Sequence, residues 1–119
     1  MRERIAAGLR ERELGTCLPF LLEAGYSAMS KREHVGLVAD LGRLQRVEIN
    51  TRIERLALQA QSELARIGHH RLSPADVLIA ACADAAGAGV LHYDRDYDIL
   101  AERTSLSFTS EWLAPAGSL

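Results

Sequence analysis

From Ser73 to Gly89 the chain writes out a helix with both of its ends, and no other stretch constrains the fold as tightly. Ser73 supplies the side-chain oxygen of an N-cap, and Pro74 suits the first helical position, where its missing N–H is not needed. Gly87 and Gly89 stop the run, which predicts a helix over residues 74–86. The apolar run at 89–93 is then a strand returning the opposite way, so the helix start and the strand end meet at one edge. Asp76 falls in the first turn of that helix and Asp94 just past that strand. Two acids far apart in sequence are thereby brought to one rim, the carboxyl-end rim where open α/β sheets bind ligands.

Pieces of the same two kinds alternate along the rest of the chain. Residues 1–13 read as a short amphipathic helix with Ile5, Ala6 and Leu9 on one face. A short strand at 14–17 leads into a helix at 18–29, with Leu18, Leu21, Leu22 and Gly25 in helical spacing. Ser30-Lys31-Arg32-Glu33 has the form of a capping box and starts a helix striped by Val35, Leu37, Val38, Leu41 and Leu44. After a strand at 47–49, Thr51-Arg52-Ile53-Glu54 opens a longer helix in the same way. Its buried side is predicted as Ile53, Leu56, Ala57, Ala60, Leu64 and Ile67, and Gly68 ends it. A helix at 96–103 and an edge strand at 106–109 precede an irregular tail at 111–119. Alternating strand and helix calls for an α/β fold, a parallel sheet covered by helices. At 119 residues, 48% hydrophobic and 25% charged, the chain suits one domain spanning 1–119.

A formal net charge of -2 gives no global case for nucleic acid binding. The basic residues are nevertheless almost all arginine, with Lys31 the only lysine, and local guanidinium clusters grip phosphates well. Cys17 and Cys82 lie in apolar surroundings without metal-type spacing, which reads as a reduced, cytoplasmic setting with buried packing thiols. No apolar run approaches the roughly 20 residues of a membrane span.

Each acid also has a bland reading. Asp76, third after Ser73, could complete a capping box and gain about 0.3 to 1 kcal/mol from the helix dipole. Asp94, Asp96 and Asp98 could be turn formers or caps. Their alternation is not a calcium loop, because Ile99 stands where glycine is needed and Ser105 where the bidentate glutamate belongs. Glu23, set among Leu18, Pro19, Phe20, Leu21, Leu22, Ala24 and Gly25, faces desolvation unless a cation or an arginine pairs with it. His69, His70 and His92 give no zinc spacing and read as surface histidines. Gly87-Ala88-Gly89 ends a helix and is too short for a phosphate loop. Tyr93 and Tyr97 flank the acidic turn, either stacking on a base or packing helix to sheet.

The run Leu72-Ser73-Pro74-Ala75-Asp76-Val77-Leu78-Ile79-Ala80-Ala81, followed by Leu91-His92-Tyr93-Asp94-Arg95-Asp96-Tyr97, closely resembles the C-terminal half of PIN-domain proteins. Within them it is most similar to the VapC-type toxins of bacterial toxin–antitoxin pairs. The match is specific over 72–109 and looser at 17–25, where Glu23 takes the place of the second acidic motif. The resemblance implies a three-layer fold and a metal-dependent endoribonuclease. Glu23, Asp76 and Asp94 would be the catalytic ligands of Mg²⁺ or Mn²⁺, with Asp96 as an accessory. It also implies an RNA substrate, a small antitoxin as partner and a homodimer. Arg71 and Arg95, beside the site segments, are the candidates for phosphate contact.

One departure matters. Family members open with a central strand ending in aspartate, followed by Thr or Ser, whereas this chain opens with what resembles the helix after it. The expected sheet therefore lacks its first, central strand, and an earlier start would encode a short Leu/Val/Ile run ending in Asp. A non-catalytic, truncated or degenerate module that still binds an antitoxin is the alternative, and a generic α/β interaction domain a third.

Overall fold

A computed structural model describes residues 7–9, 13–69 and 71–112. The elements in chain order are β1 (Ala7–Leu9), β2 (Glu13–Cys17), α1 (Leu18–Tyr26), α2 (Lys31–Leu41), β3 (Gln45–Val47), α3 (Thr51–Arg66), α4 (Pro74–Ala86), β4 (Gly89–His92), α5 (Asp96–Arg103) and β5 (Ser110–Trp112). The sheet runs in the order β3-β2-β1-β4-β5. β2 pairs in parallel with β3 and β4 with β5, while β1 is antiparallel to both β2 and β4. Four strands therefore point one way and the middle one points the other.

That centre corrects two expectations. Residues 7–9 of the expected N-terminal helix form a strand, and the rest of that helix falls mostly outside the described residues. The central place is also filled, though not by a parallel strand. A gap between β2 and β4 would leave two rows of backbone N–H and C=O groups without partners in the middle of the protein, a cost β1 removes. Only three residues separate Leu9 from Glu13, a connection that suits an antiparallel pair and is too short for a parallel crossover.

α4 is the hub, packing against α1, α3, α5, β1 and β4. Its N-cap is Ser73, its first residue Pro74, and Gly87 ends it in the left-handed conformation at φ 68°. Val77, Ile79, Ala80, Ala81, Cys82 and Ala83 are all buried. Cys17, at the end of β2, and Cys82, on α4, are free thiols, and both are fully buried packing groups. Gly89 admits no side chain, because a Cβ there would lie 2.8 Å from the Thr109 carbonyl oxygen on the neighbouring segment.

Several boundaries shift for identifiable reasons. Asn50, not Thr51, caps α3: its Oδ1 accepts the Ile53 N–H at 2.9 Å. Ser30 caps α2 as expected, accepting from the Glu33 N–H at 3.1 Å. α1 ends at Tyr26 rather than 29, and β3 lies at 45–47 rather than 47–49. The expected strand at 106–109 is not one, although Leu106 is buried and Phe108 packs on the core. Two of its N–H groups go elsewhere: Leu106 N–H donates to Thr104 Oγ1 at 3.2 Å and Ser107 N–H to Asp84 Oδ2 at 2.9 Å. Apolar alternation over 106–108 reports burial rather than pairing; the Thr109 carbonyl accepts the Val90 N–H at 2.9 Å and leads into the strand that begins at Ser110. Leu18, Leu22, Val35, Val38 and Ile67, all placed on buried helix faces by their spacing, are exposed.

Candidate metal centre

Asp76 sits in the first turn of α4, Asp94 just beyond β4 and Asp96 at the first position of α5. One carboxylate oxygen from each lies within 4.8 Å of the others, the one group of three or more potential ligands among the described residues. The capping alternative accounts for only part of this. Ser73 Oγ accepts the Asp76 N–H at 3.4 Å, yet the Asp76 carboxylate accepts a 2.9 Å hydrogen bond from the Tyr97 hydroxyl. Asp94 does both jobs at once, since its Oδ1 accepts the Asp96 N–H at 2.9 Å while the residue belongs to the acidic group.

Burial pushes the Asp76 carboxyl up to about 6, the Tyr97 hydroxyl opposes this, and the charges of Asp94, Asp96 and Glu23 add to the rise. Asp96 is also raised, by burial and then by Asp94. Burial and the Asp76 charge push Tyr97 upward, so its hydroxyl stays a donor. The N-termini of α4 and α5 aim their positive ends at the group and relieve part of the repulsion. Crowded carboxylates of this kind are hard oxygen donors suited to Mg²⁺, Mn²⁺ or Ca²⁺. Two oxygens on one Mg²⁺ stand at most about 4.2 Å apart. A spread of 4.8 Å therefore asks for a small closure, or for one acid to bind through water.

Glu23 stands outside this group. Its side chain is exposed on α1, so the desolvation that singled it out in the sequence does not operate. Its charge nevertheless reaches Asp76. Asp98 is likewise outside, accepting from Ser110 Oγ at 2.7 Å. Arg71 and Arg95 are exposed. Tyr97 is buried, with its ring 4.8 Å from that of His92, so it packs helix to sheet and is closed to a stacking base. His69 is exposed as expected, and His70 lies outside the described residues.

His92 is the correction among the histidines, being 1% exposed rather than a surface residue. Its Nδ1 accepts the Asp94 N–H at 2.9 Å and its Nε2 meets Ser110 Oγ at 2.6 Å. Burial lowers its pKa, with the charges of Asp98 and Asp94 pulling back. Period-two alternation carried the signal: in Gly89-Val90-Leu91-His92 the histidine shares a face with Val90, which is fully buried.

The family profile described as the PIN domain matches residues 2–103. Ribonuclease VapC18 of Mycobacterium tuberculosis is 37% identical, over 98% of this chain and 85% of its own length. Ribonuclease VapC51 of the same organism is 36% identical, over 82% of this chain and 70% of its own length. Among solved structures, VapBC2 from Rickettsia felis bound to a promoter DNA fragment superposes with a TM-score of 0.69 at 18% identity, covering 86% of this chain and 76% of that one. VapBC-5 from Mycobacterium tuberculosis, of the VapBC toxin–antitoxin family, gives 0.65 at 18% identity, covering 94% and 93%. At that identity the likeness shows the shared fold.

Proposed function

The chain belongs to the PIN-domain family, and from that membership we propose that it is the endoribonuclease toxin of a type II toxin–antitoxin pair, hydrolysing RNA phosphodiesters. The observation that carries the chemistry is the group of Asp76, Asp94 and Asp96 at one rim of the sheet. A divalent cation bound there, Mg²⁺ or Mn²⁺, would neutralise the carboxylates, polarise the scissile phosphate and lower the pKa of its water. Asp94 and Asp96 are held as ligands by the turn they share, and Asp76 is aimed by Tyr97. Glu23 acts from α1 at longer range, through water. Arg71 and Arg95 contact the RNA phosphates on either side. We assign residues 1–119 to a single PIN-like domain.

The partner is an antitoxin, and exposed Leu22, Tyr26 and Met29 support a helix or extended tail lying over α1 and the loop after it. A basic side chain from that segment would enter the acidic group and compete with metal. We assign the working unit to the cytoplasm as a homodimer. Among the described residues no helix is long and apolar enough to cross a membrane.

A second reading is favoured by one observation: the central strand β1 has the sequence Ala-Gly-Leu and brings no carboxylate to the rim. On that reading the chain binds an antitoxin without cutting RNA. Incubating the protein with total RNA and Mg²⁺ separates the two. Cleavage that is lost with EDTA and in Asp94→Asn is the expected result; intact RNA from a folded, antitoxin-binding protein supports the second reading.

A further inference from the structure

We propose that His92 and Ser110 are positioning residues, part of a hydrogen-bonded relay that fixes the backbone carrying Asp94. The relay ties together three elements. Ser110 Oγ, on β5, donates to Asp98 Oδ1 of α5 at 2.7 Å, which leaves the same oxygen as an acceptor towards His92 Nε2 at 2.6 Å. His92, at the end of β4, therefore carries its proton on Nε2 and presents a bare Nδ1. That nitrogen accepts the Asp94 N–H at 2.9 Å. The directions agree at every step: the Asp98 carboxylate orients the serine hydroxyl, the serine selects the tautomer, and the tautomer decides whether the Asp94 amide has an acceptor.

The amide held in this way belongs to the residue whose own carboxylate accepts from Asp96 and joins the acidic group. Fixing the amide of Asp94 thus fixes two of the three acids. His92 is buried and packs against Tyr97, the residue that aims Asp76, so one histidine touches the supports of all three. A surface turn capped only by its own side chains needs none of this. Support of ligands by buried outer partners is how metal sites hold their geometry.

The proposal rests on the metal reading above, and its test keeps the two apart. The variants are Ser110→Ala, which removes the hydroxyl from a part-buried position, Ser110→Thr, which keeps it, and His92→Phe, with Gln61→Ala on the exposed face of α3 as control. Three quantities are measured on the full chain: Mn²⁺ affinity by calorimetry, hydrogen exchange of the Asp94 amide, and the His92 tautomer by nitrogen NMR. The expected wild-type ring is protonated at Nε2 and bare at Nδ1. Ser110→Ala and His92→Phe should weaken Mn²⁺ about tenfold, at the lower end of losses met when outer partners of a ligand are removed. They should speed Asp94 exchange by a similar factor, with Ser110→Thr and Gln61→Ala near wild type. If Ser110→Ala lowers only the melting temperature and leaves both affinity and Asp94 exchange unchanged, the relay is merely structural and the proposal is overturned. A wild-type ring protonated at Nδ1 overturns it as well. If the wild type binds no Mn²⁺, the metal reading fails, and Asp94 exchange in Ser110→Ala still decides whether the relay positions that residue.

Discussion

Asp76 is held in a state that costs the metal-free protein stability. Its carboxyl is raised to about 6, against about 3.9 in an unfolded chain. Between those two values the folded state keeps a proton that the unfolded state has lost, so stability falls as pH rises through this window. Below it the residue contributes nothing, and above it the full cost, on the order of 1 to 3 kcal/mol, is present. Asp76→Asn is expected to raise the melting temperature in EDTA at pH 7.5 and to do much less at pH 4.5. Adding Mg²⁺ should reverse the order at pH 7.5, because the wild type, with all three acids, gains more from the cation. Calorimetric scans of both proteins at the two pH values check this. At this scale the sequence was legible where a motif fixed a backbone position, as at Asp76 and Asp94, and illegible where only burial decided. Glu23 looked desolvated among leucines, but a helix has an outer face and Glu23 occupies it. His92 looked polar and therefore exposed, and strand alternation placed it inside.

Among the elements, the seam between β4 and β5 carries the most consequence, because β5 brings Ser110 to His92. Gly89→Ala would put a Cβ 2.8 Å from the Thr109 carbonyl, a backbone atom that yields only if the strand moves. The expected cost is about 1 to 3 kcal/mol, in the range of core overpacking, together with weaker Mn²⁺ binding as Ser110 shifts. Gly36→Ala is the matched contrast. It lies inside α2 with open space where a Cβ would go, and should stabilise by about 0.5 to 1 kcal/mol without changing metal affinity. Urea unfolding and Mn²⁺ titration of the two variants read both effects. α4 occupies the residues its sequence signals mark, because caps, proline and glycine act locally. β5 does not, because pairing depends on a strand some twenty residues earlier, and in the apolar segment before it side chains take the N–H groups of Leu106 and Ser107.

Over the whole molecule, apolar surface is distributed unevenly, and this bears on the partner. Leu22 at 64%, Tyr26 at 89% and Met29 at 87% exposure follow one another down α1 and the loop beyond it, with Val35 and Val38 exposed on α2. Helical spacing alone predicts Leu22, Val35 and Val38 to be buried within the chain, and it is right about their chemistry while silent about what covers them. The sheet is similar: four of its strands were readable as parallel, yet only the assembled sheet shows that a reversed strand fills the middle. Glu23 lies on α1 beside Leu22, and its charge reaches Asp76, so a segment docked on the exposed leucine and tyrosine approaches the acidic group at the same time. Tyr26→Glu and Leu22→Glu, both at exposed positions, should leave the melting temperature and Mn²⁺ affinity near wild type. They should weaken antitoxin binding by about 2 kcal/mol or more, roughly thirtyfold, as expected when a central aromatic or apolar anchor is lost. Binding of the purified antitoxin by calorimetry, with and without Mn²⁺, measures this. Unchanged affinity in both variants would move the antitoxin to another face, and affinity indifferent to Mn²⁺ would separate the docking surface from the acids.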